Sequence, residues 1–273
     1  MKDRMIALVS NRPPAVDGVN LMREYLQATV LASMQGAKAF RPLAFHGGTC
    51  LRFVYRTARF SEDLDLALER PEDGFSFADM VAHVVRDLTA QGYVVRASVN
   101  DETAVNKAFI GFVGAEYEAG ISPHADKAFR IKIEVDTRPP AGAVLEVSGL
   151  RSFEYGLRLQ HHDLPSLFAG KLAALMTRRY TKGRDLYDLW WYLQDPRRTE
   201  PNIEMLGNAL RQTSDDADVL EAGEWPAIVL SRLADVDWPA ARADVDRFLE
   251  RPNEAELLTY ETFRGLLTLR AAR

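Results

Sequence analysis

One cysteine, Cys50, occurs in 273 residues. With no second thiol the chain cannot close an intramolecular disulfide, a composition that suits the reducing cytoplasm. Long apolar runs are missing as well. Met5–Val9 is too short for a signal-peptide core, and no later run has the roughly 20 residues that a membrane-spanning helix needs. The expectation is a soluble, cytoplasmic protein without membrane contact. A surplus of positive charge is also absent: 34 Lys and Arg stand against 39 Asp and Glu, a formal net charge of -5. That balance carries no global nucleic-acid signature, so any such contact must come from a local basic patch. No Cys/His spacing suits zinc, and no Walker-type or dinucleotide-binding glycine loop is present. His161 and His162 are adjacent, so their side chains diverge and do not share a metal.

What is present is globular material, 47% hydrophobic and 27% charged, enough for one large domain or two modest ones. Residues 1–18 hold Asn11-Arg12-Pro13-Pro14 and Asp17-Gly18 and read as an irregular entry. Leu21, Met22, Tyr25, Leu26, Thr29, Val30 and Met34 then follow helical spacing from about Asn20 to Ala37. A short apolar strand, Pro42–Phe45, feeds Gly47-Gly48. Phe77–Gln91 reads as a helix after the turn Pro71–Gly74, and Tyr93–Val99, Lys107–Val113 and Ala128–Asp136 read as strands. The last alternates Ile131, Ile133 and Val135 against Lys132, Glu134 and Asp136. Val144–Leu159 has room for one or two further strands. From Asp163 onward only helices are expected: Asp163–Arg178, Gly183–Gln194, Ile203–Gln212, Ala217–Leu233, Trp238–Leu249 and Glu254–Leu269. The pattern predicts an α/β (α+β) chain, with a mixed-sheet domain over residues 1–160 and a helical domain over residues 161–273. A cleft between the two is the natural place for a substrate.

The chemistry-bearing stretch is His46–Leu68, HGGTCLRFVYRTARFSEDLDLAL. On a strand Asp63 and Asp65 share one face, and paired carboxylates call for a cation between them, most often a divalent metal. A Gly-Gly turn opening a helix leaves backbone N–H groups that suit a phosphate. In isolation Asp-x-Asp is also the pattern of a salt-bridged strand face; Glu134 on another strand offers a third carboxylate, and three can hold two metal ions. Arg59 and Ser61 flank the aspartates, and a phosphate on Ser61 would set a dianion beside them. In the helix Asp163–Arg178, Lys171 falls inside the stripe made by Leu164, Leu167, Phe168, Leu172, Leu175 and Met176. A lysine there either snorkels to an edge or meets an anion. On the next helix Arg184, Asp185, Asp188 and Tyr192 gather on a polar side. Those aspartates either lock the helix in place or orient Lys171 and an acceptor. Arg178–Arg184 is a local basic cluster, either a solvated turn or a contact for an RNA backbone. Tyr187, Trp190 and Trp191 read as core, and so does Cys50.

GGTCLRFVYRTARFSEDLDLAL, then KIEVD, then LFAGKLAALMTRRYTKGRDLYDLWWYL resembles the AbiEii/AbiGii-type nucleotidyltransferase toxins. These bacterial toxin–antitoxin and abortive-infection proteins include the MenT-like toxins and belong to the DNA-polymerase-β-like superfamily. The likeness runs from Asn20 to about Leu193. It implies that Gly47, Gly48 and Thr49 hold the triphosphate of an NTP, with Arg59 and Ser61 beside it. It implies that Asp63, Asp65 and Glu134 hold Mg²⁺ (or Mn²⁺), and that Lys171 meets the phosphates with Asp188 in support. Two departures stand out. Gly-Gly-Thr replaces the Gly-Ser of many superfamily members, and the third acid is Glu134, with Asp136 competing from the same face. Arg184 and Asp185 complete the implied set.

The function implied is transfer of a nucleoside monophosphate from an NTP to an acceptor, the 3′ end of tRNA first, with release of pyrophosphate. A cognate antitoxin is the implied protein partner. A metal-dependent phosphodiesterase or nuclease would use the same carboxylates without an NTP, and a non-catalytic nucleotide- or RNA-binding protein would bind without turnover.

Overall fold

A computed structural model describes residues 1–13, 17–71, 74–213 and 223–271. The chain forms two compact units. The first comprises Met1–Arg56, Phe60–Pro139 and Leu145–His161; the second comprises Thr57–Arg59, Pro140–Val144 and the chain from His162.

The first unit is built on a seven-stranded mixed sheet. In chain order its strands are β1 (Leu43–His46), β2 (Leu64–Leu68), β3 (Val95–Asn100), β4 (Val105–Val113), β5 (Ala128–Asp136), β6 (Leu145–Ser152) and β7 (Tyr155–His162), and they lie side by side as β3-β4-β5-β2-β1-β7-β6. β2 runs parallel to β5 and β1 parallel to β7, while β1–β2, β3–β4 and β4–β5 are antiparallel. The central strands carry Phe45, Leu64, Leu66, Ile110, Ile131, Ile133 and Val135, all fully buried. At roughly 1.5–3 kcal/mol per such side chain, this face of the sheet contributes substantially to the stability of the unit.

Helices α1 (Lys2–Ser10), α2 (Gly18–Gly36), α3 (Gly47–Tyr55), α4 (Phe77–Ala90) and the single turn α5 (Ala115–Glu118) complete the unit. α2 starts where the Asp17 carboxylate accepts from the Asn20 N–H at 2.7 Å, and α4 starts where Ser76 Oγ accepts from the Asp79 N–H at 3.2 Å. In the entry segment expected to be irregular, Lys2–Ser10 form helix α1, anchored by buried Met5 and Val9, while residues 14–16 lie outside the described residues. Two apolar residues four apart, ahead of a Pro-Pro pair, are a faint helical signal.

The second unit contains α6 (Leu164–Thr177), α7 (Gly183–Gln194), α8 (Ile203–Thr213), α9 (Trp225–Leu233), α10 (Trp238–Asp246) and α11 (Tyr260–Ala271). Its core centres on Phe168, which stacks on Tyr192 at 4.1 Å between ring centroids and meets Trp225 edge-on at 5.2 Å. Asp163 caps α6 by accepting from the Ser166 N–H at 2.8 Å. α7 opens on Gly183 because a Cβ there would fall 1.8 Å from the Ala241 carbonyl oxygen of α10. The helix expected over Glu254–Leu269 is instead a 3₁₀ segment, Pro252–Leu257, followed by α11, with Leu258 leaving helical geometry between them. The first part of the helix expected over Ala217–Leu233 lies outside the described residues. Among the described residues no helix is long and apolar enough to cross a membrane.

Candidate active site

Strand register brings the acidic residues together. His46 of β1 pairs with Asp65 of β2, Asp65 pairs with Glu134 of β5, and Glu134 pairs with Lys107 of β4. Paired residues on neighbouring strands project to the same face, so these four form one polar row across the sheet. Asp63 precedes the row by two residues and shares its face. Asp136 stands across from Ala67, and its carboxylate accepts from the Arg138 N–H at 2.9 Å.

The row begins where α3 begins. Gly47 has φ +74, and a Cβ on it would fall 2.3 Å from Asp65 Oδ2. Only glycine satisfies both conditions, so Gly47, the first residue of α3, lies against the Asp65 carboxylate. The segment leading into β2 is fixed from two sides. Gln27 of α2, 1% exposed, donates through Nε2 to the Ser61 and Glu62 carbonyls at 3.0 and 2.9 Å. Thr49 Oγ1 donates to the next carbonyl, that of Asp63. Thr49 is fully buried and its one hydroxyl hydrogen is committed to this bond. The hydroxyl thus ties α3 to the carbonyl that precedes β2. Ser61 is 8% exposed.

A lysine balances the carboxylates. Lys132 Nζ lies 2.8 Å from Glu134 and 4.0 Å from Asp63, and Lys107 Nζ approaches Glu134 at 3.6 Å. Partial burial works against the Lys132 charge. The hydrogen bond to Glu134 and the fields of Asp63, Glu134 and Asp65 outweigh it, so its pKa is raised. Cys50, on α3, is fully buried, and burial together with the Asp65 charge pushes its thiol pKa up. It is core, as the sequence suggests.

Among the described residues no group of three or more His, Cys, Asp or Glu side chains is placed to hold a metal ion. The donors fit one in kind. Asp63 and Asp65 offer carboxylate oxygens of the type hard divalent cations take, with Glu134 next in register. Positive charge is already favourable among them, since the Lys132 ammonium is drawn there.

The second unit holds a separate cluster. Asp188 of α7, fully buried, accepts from Arg59 Nε and Nη2 at 2.6 Å each and pairs with Lys171 Nζ at 2.8 Å. Lys171 also reaches Asp185 at 3.2 Å, and Arg178 pairs with Asp185. Lys171 therefore lies on an apolar stripe because carboxylates of α7 meet it there. Arg59 is 1% exposed, held by Asp188 in the Thr57–Arg59 segment, whose Ala58 carbonyl accepts from the Glu250 N–H. The Arg184 guanidinium stacks over the Phe248 ring at 4.5 Å. Of the aromatics on α7, Tyr187 is fully buried, while Trp190 and Trp191 are partly exposed.

A seven-stranded mixed sheet with paired acids beside a glycine-led helix defines a nucleotidyltransferase-type fold. The family model described as "Nucleotidyl transferase AbiEii toxin, Type IV TA system" matches residues 29–268, and the chain belongs to that family. Two crystal structures of Helicobacter pylori proteins, one of them JHP933, resemble it at TM-scores of 0.57 and 0.56. Each is 18% identical, and they cover 94% and 93% of this chain and 96% and 92% of theirs. MenT4, a nucleotidyltransferase toxin of Mycobacterium tuberculosis, resembles it at a TM-score of 0.50 and 18% identity, over 99% of both chains. Among curated proteins none matches.

Proposed function

We propose that this protein is a cytoplasmic toxin that transfers a nucleoside monophosphate from an NTP to the 3′ end of an RNA, tRNA first, releasing pyrophosphate and restrained by a cognate antitoxin. The observation that carries the reading is the row His46–Asp65–Glu134–Lys107 set against the first turn of α3. It combines acid residues for a metal with backbone donors for phosphate.

Asp63 and Asp65 would hold Mg²⁺ (or Mn²⁺), with Glu134 beside them. That ion supplies positive charge where phosphate oxygens accumulate negative charge. The N–H groups of Gly47 and Gly48 bind and orient the triphosphate. Glu134 accepts the proton of the attacking hydroxyl, and its place directly across from Asp65 supports it over Asp136. Gln27 and Thr49 hold the carbonyls of residues 61–63, and so fix the strand that carries the acids. Lys171 is the candidate phosphate cation of the second unit, oriented by Asp188. Arg59, paired with Asp188, serves that cluster.

The test is to incubate the protein with Mg²⁺, each labelled NTP in turn, and total tRNA, with Asp63→Ala as control. Label on RNA with wild type alone is the expected result. RNA shortening without NTP would replace the reading with a nuclease, and neither label nor cleavage would leave a binding protein.

A further inference from the structure

At the opposite end of β1 and β2 from Gly47 and Asp65 lies a groove of about 710 Å³, ringed by Lys38, Arg41, Arg70 and Arg158. β1 runs away from it: Arg41 and Gly47 are six residues apart, at most about 20 Å of extended chain. Arg158 reaches it because β7 lies parallel to β1 with His161 opposite Phe45, and Arg70 because β2 runs antiparallel, past Leu68 opposite Leu43. Among the described residues no Asp or Glu lines the groove, and none of the four cations has an acidic partner. All four are exposed.

Their backbones are nevertheless fixed. Gln160, 5% exposed, donates to the Arg41 and Leu43 carbonyls, both at 3.2 Å. Gln35 Oε1 accepts from the Arg158 N–H at 2.5 Å, and the Pro42 carbonyl accepts from the Arg70 N–H at 3.1 Å. Lys38 sits in the left-handed region at φ 61, its N–H bonded to the Gln35 carbonyl at 2.9 Å. Lys38 and Arg41 also line a neighbouring groove of about 450 Å³ that adds His83 and Arg86, with Asp79 as its acid. The cations thus form a stripe longer than one phosphate, on a protein whose net charge is -5.

We propose that this stripe is an RNA-backbone site, distinct from the carboxylate site, that seats the acceptor away from its reacting end. Four unpaired cations on a fixed frame suit successive phosphates, and Phe40 and Val147 in the lining give sugar and base faces an apolar contact. The proposal rests on the reading that the acceptor is RNA.

The test uses fluorescence anisotropy of the full chain with end-labelled total tRNA across a salt series. In the triple variant Arg41→Gln, Arg70→Gln, Arg158→Gln, RNA affinity falls on the order of tenfold or more, and the slope of log affinity against log salt shrinks by about 2. Affinity for a labelled NTP stays the same, and the corresponding triple Arg→Lys variant restores RNA binding. Unchanged affinity and slope in the Gln variant would overturn the proposal. So would failure of the Lys variant to rescue, or displacement of the RNA by inorganic phosphate at equal phosphate concentration. Wild-type label transfer to RNA with no binding defect in the Gln variant would sink the groove and spare the transferase reading. The binding defect without any label transfer would do the reverse.

Discussion

The Asp65 carboxylate occupies the space that a side chain on Gly47 would need: a Cβ there would fall 2.3 Å from Oδ2. The first residue of α3 and strand β2 are in contact at Gly47 and Asp65. Gly47→Ala must therefore both adopt an unfavourable φ and push Asp65 aside. The expected cost is about 2 kcal/mol or more of stability, with transfer lowered on the order of 100-fold. Gly92→Ala is the control, since Gly92 has φ +92 but nothing within 4 Å. It should lose stability without losing activity. Equal activity of the two variants would contradict the contact.

Asp188 joins the buried Arg59 and the partly buried Lys171. Asp188→Asn leaves both facing a neutral amide and should cost about 3–5 kcal/mol, read from denaturant unfolding. Burial would raise the Asp188 pKa, but Arg59 and Lys171 outweigh it and hold it low. Burial would lower the Lys171 pKa, but Asp188 and Asp185 outweigh it, against the opposing Arg59, and raise it. The contribution of Asp188 is thus full above the usual carboxylate pKa of about 4 and lost as pH falls through its depressed value. That of Lys171 is full below about 10.4 and lost as pH rises through its raised value. Stability should form a plateau between these limits. Below about pH 4 the wild type should lose stability more steeply than Asp188→Asn; parallel acid limbs would contradict the role of the pair.

Lys132 already supplies a cation to Glu134 and Asp63. An incoming divalent ion must share the carboxylates with that ammonium. Lys132→Met should therefore tighten Mn²⁺ binding several-fold, roughly 1 kcal/mol, as measured by calorimetry on the protein without nucleotide. Unchanged or weaker Mn²⁺ binding would place the ion elsewhere.

Gln27→Leu removes two hydrogen bonds to the carbonyls ahead of β2. Leaving them unpaired should lower stability by about 2–3 kcal/mol. If Gln27 positions the acids, kcat falls while the KM for NTP holds; a rise in KM alone would show that it does not.

How much the sequence revealed depended on the range of the interaction. β5 and α7 match their expected limits, Ala128–Asp136 and Gly183–Gln194, because strict alternation and a clear apolar face are local signals. The mixed sheet and the trailing helices followed from the same patterns, and the family match reaches residue 268, beyond the motifs that end near Leu193. Long-range pairing left no local trace. Arg59 and Asp188 are 129 positions apart, Gln27 reaches carbonyls 34 and 35 positions on, and the groove's four cations come from three separate segments. Lys132 was visible only as part of an alternating strand, because its role as counter-charge depends on the register of β5 with β2. The bond from the Thr49 hydroxyl to the Asp63 carbonyl, 14 positions on, is equally invisible in the motif.

The most direct test of nucleotidyl transfer compares two labels on one NTP. With Mg²⁺ and tRNA, wild-type protein should move α-phosphate label onto the RNA 3′ end and release γ-phosphate label as pyrophosphate, while Asp65→Asn does neither. Transfer of γ-label to any acceptor, or α-label transfer that survives Asp65→Asn, would contradict it.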